Sequence, residues 1–154
     1  MTAVEQVERT TRELFGACDL RCTKQRMAVY DALREAMMTH PTAEELFRQV
    51  KPRMESLSLA TIYNSLDALV GAGLVRKLPT GNGSFRYDAD VSLHAHVCFD
   101  DTSEIVDVPK ALGERLVEHL PGELLRKIEE KFDVRVNGVS LQIHARRSGD
   151  GGWS

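Results

Sequence analysis

The order of hydrophobic and polar positions divides the chain into a helical first half and a second part in which short strands dominate. In four consecutive segments, apolar residues recur at helical spacing with polar and charged residues between them. We therefore predict helices over about 2–17, 23–38, 42–54 and 59–72. Thr42-Ala43-Glu44-Glu45 has the form of a capping box, which marks the start of the third helix.

A β-hairpin is predicted directly after the fourth helix. Residues 74–78 and 84–88 have the character of strands, and the Pro-Thr-Gly-Asn-Gly sequence between them forms turns. Short helices followed by a hairpin are typical of a winged helix-turn-helix, and the helix from Leu59 would be the one that enters the major groove of DNA. This pattern predicts a DNA-binding domain over residues 1–84.

The remaining residues, 85–154, are predicted to form a small α/β dimerisation domain, so that the whole chain is an α+β protein. Predicted here are strands near 94–99 and 104–108, helical residues over 110–132 broken at Pro121-Gly122, and a last strand over about 134–146 with a bend at Asn137-Gly138. Exposed strand edges and apolar faces favour self-association as a homodimer. The tail from about residue 147 is expected to be disordered.

Composition narrows the choice of partners. The net charge of −3 argues against indiscriminate binding of polyanions. Residues 1–80 nevertheless carry 11 Lys+Arg against 10 Asp+Glu, a net of +1, while the remainder carries −4, so the first half is the better candidate for nucleic acid. No apolar run has the length of a membrane span, and the N-terminus lacks the apolar core of a secretory signal. We expect a cytoplasmic protein without a membrane partner.

The three cysteines are too few for a disulfide framework. Cys18 and Cys22 are four positions apart, a spacing that a metal or redox pair on a helix could use. The alternative is that they are small apolar residues at a helix end and in a loop. We favour the alternative because no second ligand pair with zinc-like spacing accompanies them.

Candidate metal ligands cluster around the predicted strands of the second half. The His94-to-Phe99 segment alternates polar and apolar residues, so His94 and His96 would share one face of a strand. Asp88 and Asp107 fall on neighbouring predicted strands, and His40 precedes the third helix. Imidazole and carboxylate ligands without thiolate suit divalent iron, manganese or zinc. The pattern alone also allows the histidine pair to be ordinary polar residues of a surface or core.

A small metallohydrolase is a rival interpretation of the same residues. Such an enzyme needs an open coordination position and a general base nearby. The sequence contains no His-Glu-x-x-His helix or comparable base motif. An enzyme would also leave the helix-turn-helix and hairpin unexplained, so we do not expect enzymatic activity.

Candidate DNA contacts lie on the fourth predicted helix and around it. Thr61, Tyr63 and Asn64 stand near its start, where a recognition helix presents side chains to base edges. Further basic residues suit phosphate contacts, namely Arg21, Lys24, Arg26, Arg76 and Lys77. The alternative that the pattern leaves open is a solvated helix face and hairpin within a larger assembly.

Three stretches together resemble the ferric uptake regulator (Fur) family. Residues 59–66 with Ala72-Gly73-Leu74-Val75 resemble its recognition-helix motif, residues 40–46 resemble the stretch with its first metal ligand, and residues 86–108 resemble its metal-binding strands. The resemblance covers roughly residues 20–145 in the right order. It implies a homodimeric, metal-dependent repressor that binds double-stranded operator DNA.

The resemblance also implies one regulatory divalent metal per subunit, Fe²⁺ or Mn²⁺, with Zn²⁺ possible in vitro. Its ligands would be His40, Asp88, His94, His96 and Asp107. Aspartate at both carboxylate positions resembles the peroxide-sensing (PerR) branch, whereas glutamates are more usual in iron-sensing Fur. In the peroxide-sensing branch, bound ferrous iron reacts with hydrogen peroxide and oxidises ligand histidines, which here would be His40 and His94.

For DNA recognition, the resemblance assigns roles to residues of the first half. Thr61, Tyr63 and Asn64 match the recognition helix, and Arg21 matches the family's basic residue that reaches the minor groove.

The chain departs from the family at the cysteines. Most members hold a structural zinc with two Cys-x-x-Cys pairs, but here Phe99 and Thr102 occupy the first pair's positions and no second pair follows Ile143. Cys98 is one position out of register and has no partner pair. We therefore expect no structural zinc.

Two further departures concern the metal count and the signal. Leu93 and Phe132 stand where many members carry histidines of an additional metal site, which supports a single metal per subunit. The rhizobial iron-response regulators (Irr) also lack the cysteine pairs and sense haem. An iron-sensing or haem-responsive regulator is thus the alternative to a peroxide sensor.

Overall fold

The computed structural model of the protein describes residues 2–92, 94–136 and 139–148. The chain forms two compact units, Met1–Val91 and Ser92–Ser154. This boundary falls later than the expected one at residues 84 and 85, because the second strand of the hairpin pairs with the first strand and belongs to the first unit.

Four α-helices build the first unit: α1 (Ala3–Ala17), α2 (Lys24–Glu35), α3 (Ala43–Val50) and α4 (Leu59–Gly71). Each begins after a residue whose side-chain oxygen accepts a backbone N–H of the first turn, and these capping residues are Thr2, Thr23, Thr42 and Ser58. The four predicted helices are confirmed. The second and third end early because 3₁₀ turns follow them at Met37–Thr39 and Lys51–Arg53. No helix among the described residues has the length and apolar character that crossing a membrane requires.

A shared apolar core fixes the orientation of α4. Leu33 of α2, Leu46 of α3, and Ile62 and Leu66 of α4 are all fully buried. Burying one such side chain contributes about 1.5–3 kcal/mol relative to leaving it exposed. Because these two α4 residues are held inward, the opposite face of α4, with Asn64, is exposed to solvent.

The hairpin of the first unit consists of β1 (Arg76–Pro79) and β2 (Phe85–Asp88), paired antiparallel. Its turn closes through a hydrogen bond from Thr80 N to Ser84 O of 3.0 Å. Tyr87 anchors the second strand: it lies in the core, where burial raises the pKa of its phenol to about 12, and its N–H donates to Pro41 O at 3.0 Å. The strand that carries Asp88 is therefore fastened to the segment that carries His40.

The second unit contains a three-stranded sheet and two helices: β3 (Ala95–Phe99), β4 (Ile105–Asp107), α5 (Lys110–Glu118), α6 (Gly122–Phe132) and β5 (Leu141–Ala145). The central strand β3 pairs antiparallel with β4 and parallel with β5. The first two strands and the helical break near Pro121 agree with the sequence prediction. The unit is thus the small α/β arrangement that was expected.

The last strand is shorter than predicted, because it starts at Leu141 and not near residue 134. Asp133 ends α6 with a left-handed backbone, at φ 51°. The backbone N–H groups of Val134 and Val136 then donate to the Glu129 carbonyl and carboxylate, so they cap α6 and do not join a sheet. The predicted bend at Asn137-Gly138 lies outside the described residues, as does Leu93.

The segment after β5 is described as far as Ser148. The Arg147 guanidinium lies 4.7 Å from the centre of the Phe99 ring and forms an ion pair with Glu104. The tail residues 149–154 lie outside the described part of the chain.

Candidate functional site

His40 and Asp88 form a group in the first unit that we call the first half-site. Their closest atoms, His40 Nε2 and Asp88 Oδ2, are 3.4 Å apart, and both side chains are fully buried. His40 has a left-handed backbone at φ 46°, a conformation that non-glycine residues seldom adopt and that concentrates at functional sites. Arg86 Nη1 donates to the His40 carbonyl at 3.0 Å and lies 3.2 Å from Glu45 Oε2, which ties this turn to β2 and α3.

His94, His96 and Asp107 form the second half-site, in the second unit. Asp107 Oδ1 lies 3.3 Å from Nε2 of each histidine. His96 and Asp107 are direct cross-strand partners of β3 and β4, whereas His94 lies just before β3. The two imidazole rings are 4.3 Å apart between centroids. Sheet register therefore brings together three of the sequence-predicted ligands.

Hydrogen bonds orient the ligand atoms of both half-sites. His94 Nδ1 lies 2.8 Å from the Ser92 carbonyl. Since a carbonyl only accepts, Nδ1 donates in this contact, and Nε2 is the nitrogen on the side of Asp107. Asp88 Oδ1 accepts the Asp90 N–H at 2.8 Å, which directs Oδ2 to His40. Bonds of this kind commonly fix the tautomer and orientation of metal ligands.

The donor atoms of both half-sites suit a divalent cation. They are imidazole nitrogens and carboxylate oxygens without sulfur, a set that fits Mn²⁺, Fe²⁺ and Zn²⁺. His40, Asp88 and His96 are buried, and an ionised carboxylate in such a place is stable only with a compensating partner. The chemistry of the residues therefore fits the metal that the sequence predicted.

The predicted recognition residues are presented by α4. Asn64 is exposed, Tyr63 is 39% exposed, and Thr61 is half-buried in the first turn, where its N–H donates to Ser58 Oγ. The Tyr63 hydroxyl donates to Glu44 Oε1 of α3 at 2.5 Å, which raises the pKa of Tyr63 and lowers that of Glu44. The tyrosine is thus held against α3.

The basic residues around α4 divide into two groups. Arg21 is exposed, and its carbonyl accepts a hydrogen bond from Arg26, which orders the loop before α2. Lys77 is exposed on β1, with its ammonium 4.2 Å from the centre of the Phe85 ring. Arg76, also on β1, is half-buried, and its guanidinium donates to the Val91 carbonyl at 2.8 Å.

Sequence reasoning missed a second group of possible ligands in the second unit. One ligand atom each of Cys98, Asp100 and His144 lies within 4.8 Å of the others. Alternation along the strand could have paired Cys98 with Asp100, but His144 joins them only through the register of β3 and β5. Among the described residues, Cys18 and Cys22 belong to no such group. Cys18 packs against the helical core, in agreement with its interpretation as a small apolar residue at a helix end.

Comparison with known sequences identifies the same family in a family model and in individual relatives. The sequence model of the ferric uptake regulator family matches residues 17–135. The peroxide-responsive repressor PerR of Staphylococcus saprophyticus is 40% identical over 88 residues, which are 57% of this chain and 59% of that protein. PerR of Staphylococcus aureus strain Mu50 is 32% identical over 123 residues, 76% of this chain and 82% of the relative.

Solved structures show the same fold. The Pseudomonas aeruginosa ferric uptake regulator with manganese aligns with a TM-score of 0.68 at 23% identity, over 88% of this chain and 96% of that chain. The Campylobacter jejuni peroxide stress regulator aligns with a TM-score of 0.63 at 24% identity, over 98% and 100% of the two chains. At these identities the likeness concerns the fold.

Family membership also decides between the classes of function. Fur-family proteins are transcriptional regulators and not enzymes, which removes the metallohydrolase interpretation. The extent of the family match and the coverage of the relatives lead to one conclusion. This chain belongs to the ferric uptake regulator family of metal-dependent transcriptional regulators.

Proposed function

We propose that the protein is a homodimeric cytoplasmic repressor that binds operator DNA when loaded with Fe²⁺ or Mn²⁺ and leaves it when peroxide oxidises the iron site. The observation that carries the proposal is the arrangement of imidazole next to carboxylate at both half-sites. These are the positions that resemble the family's ligands. The relatives named peroxide-responsive repressors favour peroxide as the signal.

In this proposal the five residues of the two half-sites bind one metal. His40 and Asp88 belong to the first unit, and His94, His96 and Asp107 belong to the second. A metal that requires ligands from both units favours one orientation of the DNA-binding unit. Two copies in a dimer would then hold their recognition helices at the spacing of successive major-groove faces. Metal and operator favour the same state, so each strengthens binding of the other.

The signal acts through the ligand histidines. Ferrous iron held by these residues would supply the reactivity toward hydrogen peroxide. An imidazole of His40 or His94 that gains an oxygen atom becomes a poorer donor through its ring nitrogen. The chain then loses one of the groups that hold the two units in the DNA-binding orientation. Asp88 and Asp107 lose part of the charge compensation that the metal provided.

DNA recognition is assigned to the exposed face of α4 and to basic residues beside it. Thr61, Tyr63 and Asn64 would reach base edges, and Arg21 would reach the minor groove. The Tyr63 hydroxyl donates its proton to Glu44, so it can donate to a DNA base only after that hydrogen bond is broken. The Glu44 carboxylate also repels the phosphates of the DNA backbone.

Dimerisation is assigned to the second unit, which exposes a large apolar surface. A groove of about 730 Å³ is lined by Val97, Val106, Leu112, Leu116 and Ile143. Leu112 is 54% exposed, and Phe132 on α6 is 65% exposed. Contiguous apolar surface of this kind commonly marks a protein–protein interface.

Replacing His40 with alanine should remove the response to metal. Couplings between effector and ligand are typically about 1–3 kcal/mol, or about 5- to 150-fold in affinity. We expect a Mn²⁺-dependent gain in DNA affinity of that size in the unaltered protein and none in His40→Ala. The measurement is fluorescence anisotropy with a duplex selected by the Mn²⁺-loaded protein from a randomised pool. Sedimentation should show an intact dimer in both proteins.

Two further variants make the His40 experiment decisive. Met38→Ala changes a residue of the same turn that is 78% exposed, and it should retain the full response. Asp107→Ala alters the other unit and should lose the response as His40→Ala does. A His40→Ala protein that still responds fully to Mn²⁺ contradicts the ligand assignment.

Hydrogen peroxide should add one oxygen atom to His40 or His94 in the Fe²⁺-loaded protein. Tandem mass spectrometry of peptides before and after treatment locates the modification, and His119 and His144, the two histidines outside both half-sites, serve as internal references. The Mn²⁺-loaded protein, treated identically, should remain unmodified and bound to DNA. If the iron-loaded protein resists oxidation yet leaves DNA when iron is chelated, it is an iron sensor and the peroxide part of the proposal fails.

Variants of base-contacting and phosphate-contacting residues should differ in how their DNA affinity depends on sequence and on salt concentration. Asn64→Ala should weaken binding to the selected duplex by about 1–3 kcal/mol and relax sequence preference at one position. Lys77→Ala should weaken binding to all sequences alike and reduce the slope of log K against log salt by about 1. Equal effects of Asn64→Ala on selected and random duplexes would place Asn64 outside the base-reading surface.

A further inference from the structure

We propose that Cys98, Asp100 and His144 form a second metal site, which binds Zn²⁺. All three residues belong to the second unit, and none of them is part of either half-site or of the DNA-binding face. The proposal therefore stands or falls independently of the proposed regulation. It also revises the expectation that the regulatory metal is the only one in the subunit.

Sheet register brings the three residues together. Cys98 and Asp100 are two positions apart, and alternate residues of an extended strand share a face. In the parallel pair of β3 and β5, His144 is the direct partner of Cys98. The pairing continues past the end of β3, since Asp100 N donates to Ala145 O at 2.9 Å. The backbone thus fixes the positions from which all three side chains extend.

The distances are close to those of a tetrahedral zinc site. Zinc bonds of about 2.0–2.3 Å to nitrogen, oxygen and sulfur place neighbouring ligand atoms about 3.3–3.6 Å apart. His144 Nδ1 and Asp100 Oδ1 are 3.1 Å apart, and the three ligand atoms all lie within 4.8 Å of one another. Side-chain rotations that change the separations of the ligand atoms by at most about 1.5 Å would complete the geometry.

The donor set selects a different ion from that of the half-sites. A thiolate beside imidazole and carboxylate suits Zn²⁺ and disfavours Mn²⁺, which prefers oxygen and nitrogen ligands. The Cys98 thiol is fully buried, whereas the side chains of Asp100 and His144 are 42% and 51% exposed. The site therefore has a solvent-facing side through which an ion enters and where water can supply a fourth ligand.

Zinc at this position would fasten β5 to β3. In the described sheet, β5 lies at an edge and pairs with β3 alone. A ligand that binds only the folded state stabilises it in proportion to the logarithm of its concentration over Kd. Phe99 and Thr102, at the positions of the family's first cysteine pair, take no part in this site, so it differs from the structural zinc site that the chain lacks.

Cobalt(II) titration of the full-length reduced protein tests the site directly, because a thiolate bound to Co²⁺ gives an intense near-ultraviolet charge-transfer band. The half-sites contain no sulfur and cannot give this band. We expect the band in the unaltered protein and in the Cys18→Ala/Cys22→Ala control. It should be absent in Cys98→Ser, and Zn²⁺ should abolish it by displacement.

The His144→Ala variant tests the three-ligand assignment. If His144 is a ligand, this variant should bind Co²⁺ more than about 100-fold more weakly than the unaltered protein. If His144 only formed a hydrogen bond to a ligand, the loss would be about 10- to 100-fold. Circular dichroism confirms that each variant is folded, and retention of Mn²⁺-stimulated DNA binding shows that the half-sites are intact. No band in the unaltered protein, or an unchanged band in Cys98→Ser or His144→Ala, overturns the proposal.

Discussion

The contact between a carboxylate and imidazole nitrogens is the interaction on which the proposed regulation depends. Asp88 is fully buried against His40, and Asp107 lies between His94 and His96. Removing a carboxylate from water costs several kcal/mol unless a partner compensates it. Neutral imidazole compensates weakly, whereas a divalent cation does so strongly. A divalent cation would therefore compensate the buried Asp88 carboxylate most strongly, whereas the Asp107 side chain is 31% exposed and depends on it less.

In the first unit, a continuous series of contacts links the first half-site to the exposed face of α4, which we propose binds DNA. His40 and Pro41 directly precede the Thr42 cap of α3, and α3 packs against α4. Glu44 near the start of α3 accepts the hydrogen bond from Tyr63 of α4. In the proposed regulation, these contacts would connect the position of His40 to Tyr63 through α3.

Local sequence information was sufficient for most of the fold. Helical periodicity and capping residues such as Thr42 and Ser58 are encoded within a few positions, so the helices of the first unit could be predicted closely. The alternating residues around His96 likewise predicted β3. The ligand set depended on resemblance to a family, because alternation alone does not show which distant residues meet.

The features that sequence reasoning missed all depend on contacts between distant segments. His144 reaches Cys98 only through a parallel pairing of strands separated by β4 and two helices. The Arg76 guanidinium donates to a carbonyl fifteen residues away, and the Arg147 guanidinium lies over the Phe99 ring. Register and side-chain partners of this kind follow from tertiary packing, which periodicity does not encode.

The central claim is that metal and operator DNA stabilise the same state, and calorimetry of Mn²⁺ binding with and without the selected duplex tests it most directly. Because coupling between two ligands is reciprocal, DNA must raise the affinity for Mn²⁺ by the same factor by which Mn²⁺ raises the affinity for DNA. Equal factors, within about 5- to 150-fold, are the predicted result. A Mn²⁺ affinity that is the same with and without DNA would contradict the claim.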